Sequence, residues 1–119
     1  YAKGLAATVV GSVVTISEDD FSTALAVANG VGRTGFAMSA CVAGEFGWYQ
    51  VSGKGVAKSK ASNADNAAQY LTSTAGSLDD AVVAGDRIHR CISGSAVGTP
   101  STGLIEVEID RPATDNIAD

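Results

Sequence analysis

Between Leu104 and Asp110 the chain reads Leu-Ile-Glu-Val-Glu-Ile-Asp, and this alternation constrains the fold more than any other stretch. Ile105, Val107 and Ile109 face one way while Glu106, Glu108 and Asp110 face the other. That is the period of an extended strand with one buried and one wet side. Arg111-Pro112 follows at once and is expected to stop the strand, because proline has no N–H to give to a ladder. The polar tail 113–119 then reads as a C-terminal arm.

The rest of the chain repeats this logic in shorter pieces. Ala7 to Val10 and Val13 to Ile16 are β-branched runs separated by Gly11-Ser12, the signature of a hairpin with a type II′ turn. Ser17 to Ala28 reads as a turn followed by a short strand. From Thr34 to Val42 the residues Phe36, Met38, Ala40 and Val42 alternate with others and are expected on one face of a strand that Gly44 ends. Phe46 to Val51 carries Phe46, Trp48 and Tyr49, the densest aromatic group. Gly53 and Gly55 are expected to break it before Val56 to Lys60, and the three strands would make a meander. Ser62 to Ala68 fits one helical turn at most, before Gln69 to Thr72 resumes as strand. Asp79-Asp80 reads as an acidic turn, Arg87 to Ser93 as a strand and Ser93 to Gly103 as a surface loop.

Turns spaced about every 10 residues are those of barrels and sandwiches. With 119 residues there is enough chain for one core and not two. Hydrophobic residues at 45% and charged residues at 18% are the balance of a chain that folds. Fourteen glycines, with abundant Ala, Ser, Thr and Val, favour strands and tight turns. The expectation is an all-β fold, a small antiparallel β-barrel or β-sandwich with at most short helical turns. It forms a single β domain over 1–119, with an N-terminal arm 1–5 and the C-terminal arm 113–119.

Charge narrows the partners. The net charge is −5 and the eight basic residues are scattered, with Lys54, Lys58 and Lys60 the only local group. Phosphate-backbone binding needs clustered cations that displace counterions, so no nucleic acid is expected. No apolar run approaches the ~20 residues that span a bilayer, so no membrane partner is expected either. The chain opens on Tyr1 and not on Met, which leaves processing and compartment open. Cys41 and Cys91 are far apart, outside any metal-ligand spacing and set in apolar surroundings. They read as buried free thiols, with a single disulfide as the alternative.

Motifs that could carry chemistry are few. Gly30-Val31-Gly32-Arg33-Thr34-Gly35 is formally G-x-G-x-x-G, but Gly44 and Gly47 follow too soon for the helix a dinucleotide site needs. A glycine-rich loop between strands is the simpler reading. His89 is the only histidine, and Gly94 to Gly98 has Ala96 where a nucleophile elbow needs serine. Asp79, Asp80 and Asp86 lack the ligand spacing of a calcium loop. Neither catalytic residues nor a cofactor nor a metal is expected, and the chain reads as no enzyme. Trp48 and Tyr49 are neighbours on one strand, so one ring fills the core and the other points out, where an aromatic is suited to anchor an interface.

At this point the residues suggest a family. Gly44-Glu45-Phe46-Gly47-Trp48-Tyr49-Gln50-Val51-Ser52-Gly53 resembles the aromatic-Gly-Trp-x-Gln-x-x-Gly strand of the capsid decoration (head cement) proteins of tailed bacteriophages. Tyr70 to Ala81 with Gly85-Asp86-Arg87-Ile88, and Gly103 to Pro112, are similar to further blocks in the same order. The resemblance implies a compact β-barrel or β-sandwich on the outer surface of the virion head. It also implies binding to the major capsid protein and self-association as a homotrimer, without catalysis or cofactor. Candidate interface residues are Tyr1, Leu5, Trp48, Tyr49 and Ile117, the terminal ones because both arms flank strands and lack a fold of their own. A secreted or cell-surface β-sandwich adhesion module is the alternative, and a Cys41–Cys91 disulfide would favour it.

Overall fold

A computed structural model describes residues 2–4, 8–17, 19–41 and 44–117. The described chain is all-β, a curled antiparallel sheet that forms a half-barrel. Its strands are β1 (Ala2–Lys3), β2 (Val13–Ile16), β3 (Thr23–Leu25), β4 (Gly32–Ala37), β5 (Phe46–Gly47), β6 (Tyr49–Gln50), β7 (Ser52–Lys58), β8 (Ala68–Leu71), β9 (Leu78–Asp79), β10 (Arg87–Ser93) and β11 (Leu104–Thr114). The large sheet runs β3-β2-β4-β11-β10-β8-β9, with β6 also on β4 and β7 also on β11. The short strands β1 and β5 form a separate pair.

β11 is the spine. Ile105, Val107 and Ile109 are buried on its inner face, as the alternation requires, whereas Glu108 and Asp110 are exposed and Glu106 is half-buried. One edge pairs with β10, from Ser93 opposite Val107 to His89 opposite Ala113. The other edge pairs with β7, from Leu104 opposite Lys58 to Asp110 opposite Ser52. Beyond that it pairs with β4, Ala113 opposite Arg33 and Thr114 opposite Gly32.

The expected stop at Arg111-Pro112 does not occur. The strand instead bulges there, with Arg111 at φ 48°, and continues to Thr114, so Ala113 and Thr114 belong to the sheet and not to an arm. Proline is tolerated because the bulge asks for no ladder donor at that position. The Arg111 amide turns aside to donate to the Val51 carbonyl, 2.6 Å away. Across the bulge Arg90, at φ 59°, donates from Nε to Asp110 O (2.9 Å) and from Nη2 to Arg111 O (2.7 Å). This corner is where β11 leaves β7 for β4, and it bends the sheet into its half-barrel.

The larger core fills the concave side. It joins Val13, Ala26, Phe36, Ala57, Leu71, Leu78, Ile88, Cys91, Ile105, Val107 and Ile109, with Val97 against its rim. A smaller cluster lies on the other face of β2 and β4, where Val14, Ala37, Tyr49 and Ala2 meet Ile16, Leu25 and Cys41. β2 and β4 are therefore covered on both sides, which is why Val13 and Val14, adjacent in sequence, are both buried.

That double burial also overturns the expected hairpin. Ala7 lies outside the described residues, and Val9 and Val10 are exposed. Val9 to Ser12 is a tight turn closed by Ser12 N donating to Val9 O (3.0 Å), with Gly11 at φ 83°. β2 pairs with β3 and β4 instead. A strand with two apolar faces gains more between two partners than in an isolated hairpin.

Three further expectations change. β4 ends at Ala37, so Met38 and Ala40 are exposed rather than inward; Val42 lies outside the described residues. Gly11 N and Ser12 O bond Ala37 from one side and Tyr49 pairs with it from the other, and past Ala37 the regular ladder gives way to single bonds such as Met38 N to Trp48 O. The meander does not form: β5 joins β1, β6 joins β4, and β7 begins at Ser52, running through Gly53 and Gly55. The Gln50 side chain explains those glycines, because its Nε2 donates to Ser52 O (3.0 Å) and Lys54 O (2.8 Å). A Cβ on Gly55 would stand 2.8 Å from Gln50 Oε1. Finally, 61–67 is held by an amide pair and not by a helical turn. Asn63 Nδ2 donates to Gln69 Oε1 (2.6 Å) and Gln69 Nε2 to Asn63 Oδ1 (3.1 Å), so both buried amides are satisfied.

Truncating Phe36 to Ala should cost about 3–5 kcal/mol, since the ring is fully buried in the larger core and the strands around it cannot collapse into the void. Ile92→Ala, on the exposed side of β10, should cost under about 1 kcal/mol. Urea denaturation of both variants checks the contrast; equal losses would mean that the concave side is not the core.

Candidate protein interface

The kink between β5 and β6 decides which aromatics face solvent. Gly47 and Tyr49 point inward and Phe46 and Trp48 outward, so Trp48 is 65% exposed and Tyr49 only 7%. Tyr49 is therefore a core residue and not an interface anchor, a correction to the expectation. Its Oη lies 3.5 Å from both Thr23 Oγ1 and Cys41 Sγ. Burial pushes the phenol above its usual pKa.

Trp48 has apolar company that its neighbours in sequence do not reveal. Its carbonyl accepts from the Met38 amide at 3.2 Å, which sets exposed Met38 beside it. Phe46 lies opposite Lys3 in the small sheet. The Lys3 amide donates to Phe21 O at 2.8 Å, so Phe21 and Phe46 flank the same stretch of β1. Phe21 is 58% exposed and sits at φ 55°, a left-handed backbone that is unfavourable for a bulky residue. Val10 and Met38 continue the row along a groove of ≈ 210 Å³ whose floor includes Val56 and Gly55. Phe21, Phe46, Trp48, Met38 and Val10 are thus all exposed, on segments tied together by the β1–β5 and β4–β6 pairings. Exposed apolar side chains concentrated in one region mark interaction sites.

Ile117 is exposed too, but it follows the end of β11, which pairs with the start of β4 at Gly32, whereas Trp48 adjoins the other end of β4 at Ala37. Those two ends of β4 are roughly 17 Å apart, so Ile117 and Trp48 belong to opposite ends of the strand. Tyr1 and Leu5 lie outside the described residues. Phe21 was missed by the sequence reading, because nothing in the Ser17 to Ala28 pattern distinguishes an inward from an outward ring. Phe46 carried a signal that was not used: Phe-Gly-Trp places both rings two apart, on one side of a strand.

The polar candidates are occupied with local structure. His89 Nε2 lies 3.4 Å from Asp115 Oδ2. The Asp115 carboxyl is held below its usual pKa by the Ile117 amide first and by His89 second. Asp86 accepts from the Asn29 amide (2.8 Å) and Asp80 from Ala64 (3.0 Å), each tying its loop to a distant one, while Asp79 accepts from Asp80 (2.8 Å) within its own turn. Among the described residues no three His, Cys, Asp or Glu side chains converge on a metal position. The glycine motif is largely strand and not the loop expected, since Gly32 to Gly35 belong to β4. A Cβ on Gly35 would stand 3.0 Å from Ile16 Cδ1, which accounts for that glycine by packing. Ser95 in the Gly94 to Gly98 loop donates to Thr99 O (2.9 Å) and accepts from Glu106 N (3.0 Å).

Cys41 and Cys91 are free thiols, and they pack in different clusters. Burial pushes the Cys91 thiol up to about 12.

No protein family, curated protein or solved structure matches the chain.

Half-buried Cys41 should react with an aromatic disulfide reagent at pH 8 in the native state, while Cys91 reacts only on unfolding. The raised pKa of Cys91 has a second consequence. Native Cys91 keeps its proton while the unfolded chain loses it above about 9, so folding stability falls with rising pH from about 9 to about 12, by up to about 1.4 kcal/mol per pH unit. Denaturation across that range should show a shallower alkaline loss for Cys91→Ala than for the wild type. Parallel slopes would contradict the burial.

Proposed function

We propose that the chain is a structural protein of a tailed-bacteriophage head. It binds the outer surface of the capsid and reinforces the shell, with the major capsid protein as partner and a homotrimer as its own assembly. The observation that carries this reading is the exposure of Phe21, Phe46, Trp48 and Met38, large apolar side chains that a domain with no partner would have reason to bury. The sequence resemblance supports it, since its blocks coincide with the frame of the fold: β5 through the start of β7, β8 and β9 with the start of β10, and most of β11.

The physics suits such a role. A shell offers many identical sites, so a modest apolar contact per copy, at ~25 cal/mol per Å² buried, is repeated across the lattice. The acidic surface keeps a high-copy protein soluble before it docks. Trp48 and its neighbours supply the large rigid area that anchors protein interfaces. Nothing in this role requires catalysis or a cofactor.

Co-sedimentation with expanded, undecorated heads tests the reading. The wild type should pellet with heads. Trp48→Ala and Phe46→Ala should each weaken retention by at least about tenfold, as loss of an interface anchor does, and Ile92→Ala should bind as the wild type does. Light scattering should give three times the mass of a single chain. Failure of the wild type to pellet, or full binding by a Phe46→Ala/Trp48→Ala double variant, would sink it.

A further inference from the structure

Among the described residues other than glycine, Phe21, Asn29, Ser62, Asn66, Arg90, Arg111 and Asn116 hold a positive φ. Asparagine tolerates that region and arginine does so poorly. Arg90 is accounted for by the fold, since its guanidinium binds the two carbonyls that the β11 bulge leaves without ladder partners. Arg111 has no such account. It combines φ 48° with a place directly before Pro112, whose ring disfavours helical-type backbone in the preceding residue. Its amide is needed, for the bond to Val51 O, but glycine would supply the same amide without strain. Its guanidinium makes no hydrogen bond or ion pair among the described residues. Among the described residues, then, a strained backbone presents a side chain that none of them binds.

That side chain borders an open basin of ≈ 690 Å³ lined by Val51, Ser52, Arg90, Asp110 and Arg111. Two arginines and one aspartate line it, a net positive patch on a chain of charge −5. Val51 is three residues along the chain from Trp48, at most about 11 Å away, so the basin lies within reach of a partner that covers Trp48.

We propose that this basin is a carboxylate-binding subsite. An Asp or Glu side chain of the protein partner enters beside Arg111 and takes a forked pair of bonds from its guanidinium, with the Ser52 hydroxyl in reach and Val51 against the methylenes. One net positive charge with Asp110 in the wall suits a monoanionic carboxylate better than a phosphate dianion. The proposal rests on the docking reading above and adds a polar clamp beside its aromatic anchors.

Titrating the isotope-labelled chain with an acetylated, amidated triglutamate peptide, and separately with inorganic phosphate, tests it by NMR without any heads. The peptide should shift the Arg111 side-chain Nε and Ser52 amide signals. Arg111→Gly should abolish the response, and Arg111→Lys should leave a weaker one. Arg111→Gly should also melt no lower than the wild type, and its retention on heads should fall by about tenfold or more. No shift at high peptide, or a stronger response to phosphate, would overturn the subsite. So would a lower melting point for Arg111→Gly, because the side chain would then belong to the fold. If the wild type fails on heads, the docking reading falls while the titration still decides the subsite. If Arg111→Gly binds heads as tightly as the wild type, the clamp falls and the docking reading stands.

Discussion

The fold depends on β11 changing partners at one corner. A strand of eleven residues pairs with β10 on one edge from Val107 to Ala113, but on the other it leaves β7 after Asp110 and takes up β4 at Ala113. Three residues on β11 stand against one on β10 at this point, between His89–Ala113 and Cys91–Ile109. Such a mismatch bends a strand and increases its twist. The carbonyls it would strand are taken up by Arg90 and the amide it frees by Val51. Without that corner β7 and β4 could not lie end to end along one strand, and the sheet would lose the concavity that encloses Phe36, Ile88 and Ile105.

The same curvature accounts for the second cluster. Because β2 and β4 sit near the bend, their outer face is roofed by Tyr49, Ala2 and Cys41 rather than left to water. The roof is thin and built from short strands. Gly4 and Gly47 lie so close to Cys41 that a Cβ on either would come within 2.8 Å of its sulfur or nearer. A roof this shallow has no depth to hide Phe46, Trp48 or Phe21, and their exposure follows from the geometry.

Strands whose sequence states both their faces were legible beforehand. Ile105, Val107 and Ile109 predicted the inner face of β11 outright, Arg87 to Ser93 coincides with β10, and the opposition of Trp48 and Tyr49 came from the two-residue period. What was not legible depended on long-range pairing. Val13-Val14 next to Gly11-Ser12 looks like half a hairpin until β3 and β4 cover both sides. Pro112 looks like a terminator until the bulge removes the need for its N–H. Met38 looks inward by alternation, but β4 ends one residue earlier. Of the candidate interface residues, Trp48 was read from local pattern alone. Which of Trp48 and Tyr49 turns inward was left open by that period, so Tyr49 stood among the candidates although it is buried, and the grouping of Trp48 with Phe21 and Met38 required the β1–β5 and β4–β6 pairings.

The proposed shell-binding role would account together for the acidic composition, the exposed apolar side chains beside a shallow roof, and an arginine whose strained backbone presents a guanidinium that no described residue binds. Its central claim is an orientation, and an electron cryo-microscopy reconstruction of expanded heads saturated with the chain measures it most directly. The account predicts copies on the outside of the shell with Phe21, Phe46, Trp48 and Met38 against capsid protein and the exposed side of β10 turned to solvent. Copies seated with Trp48 in solvent, or heads carrying no added density, would contradict it.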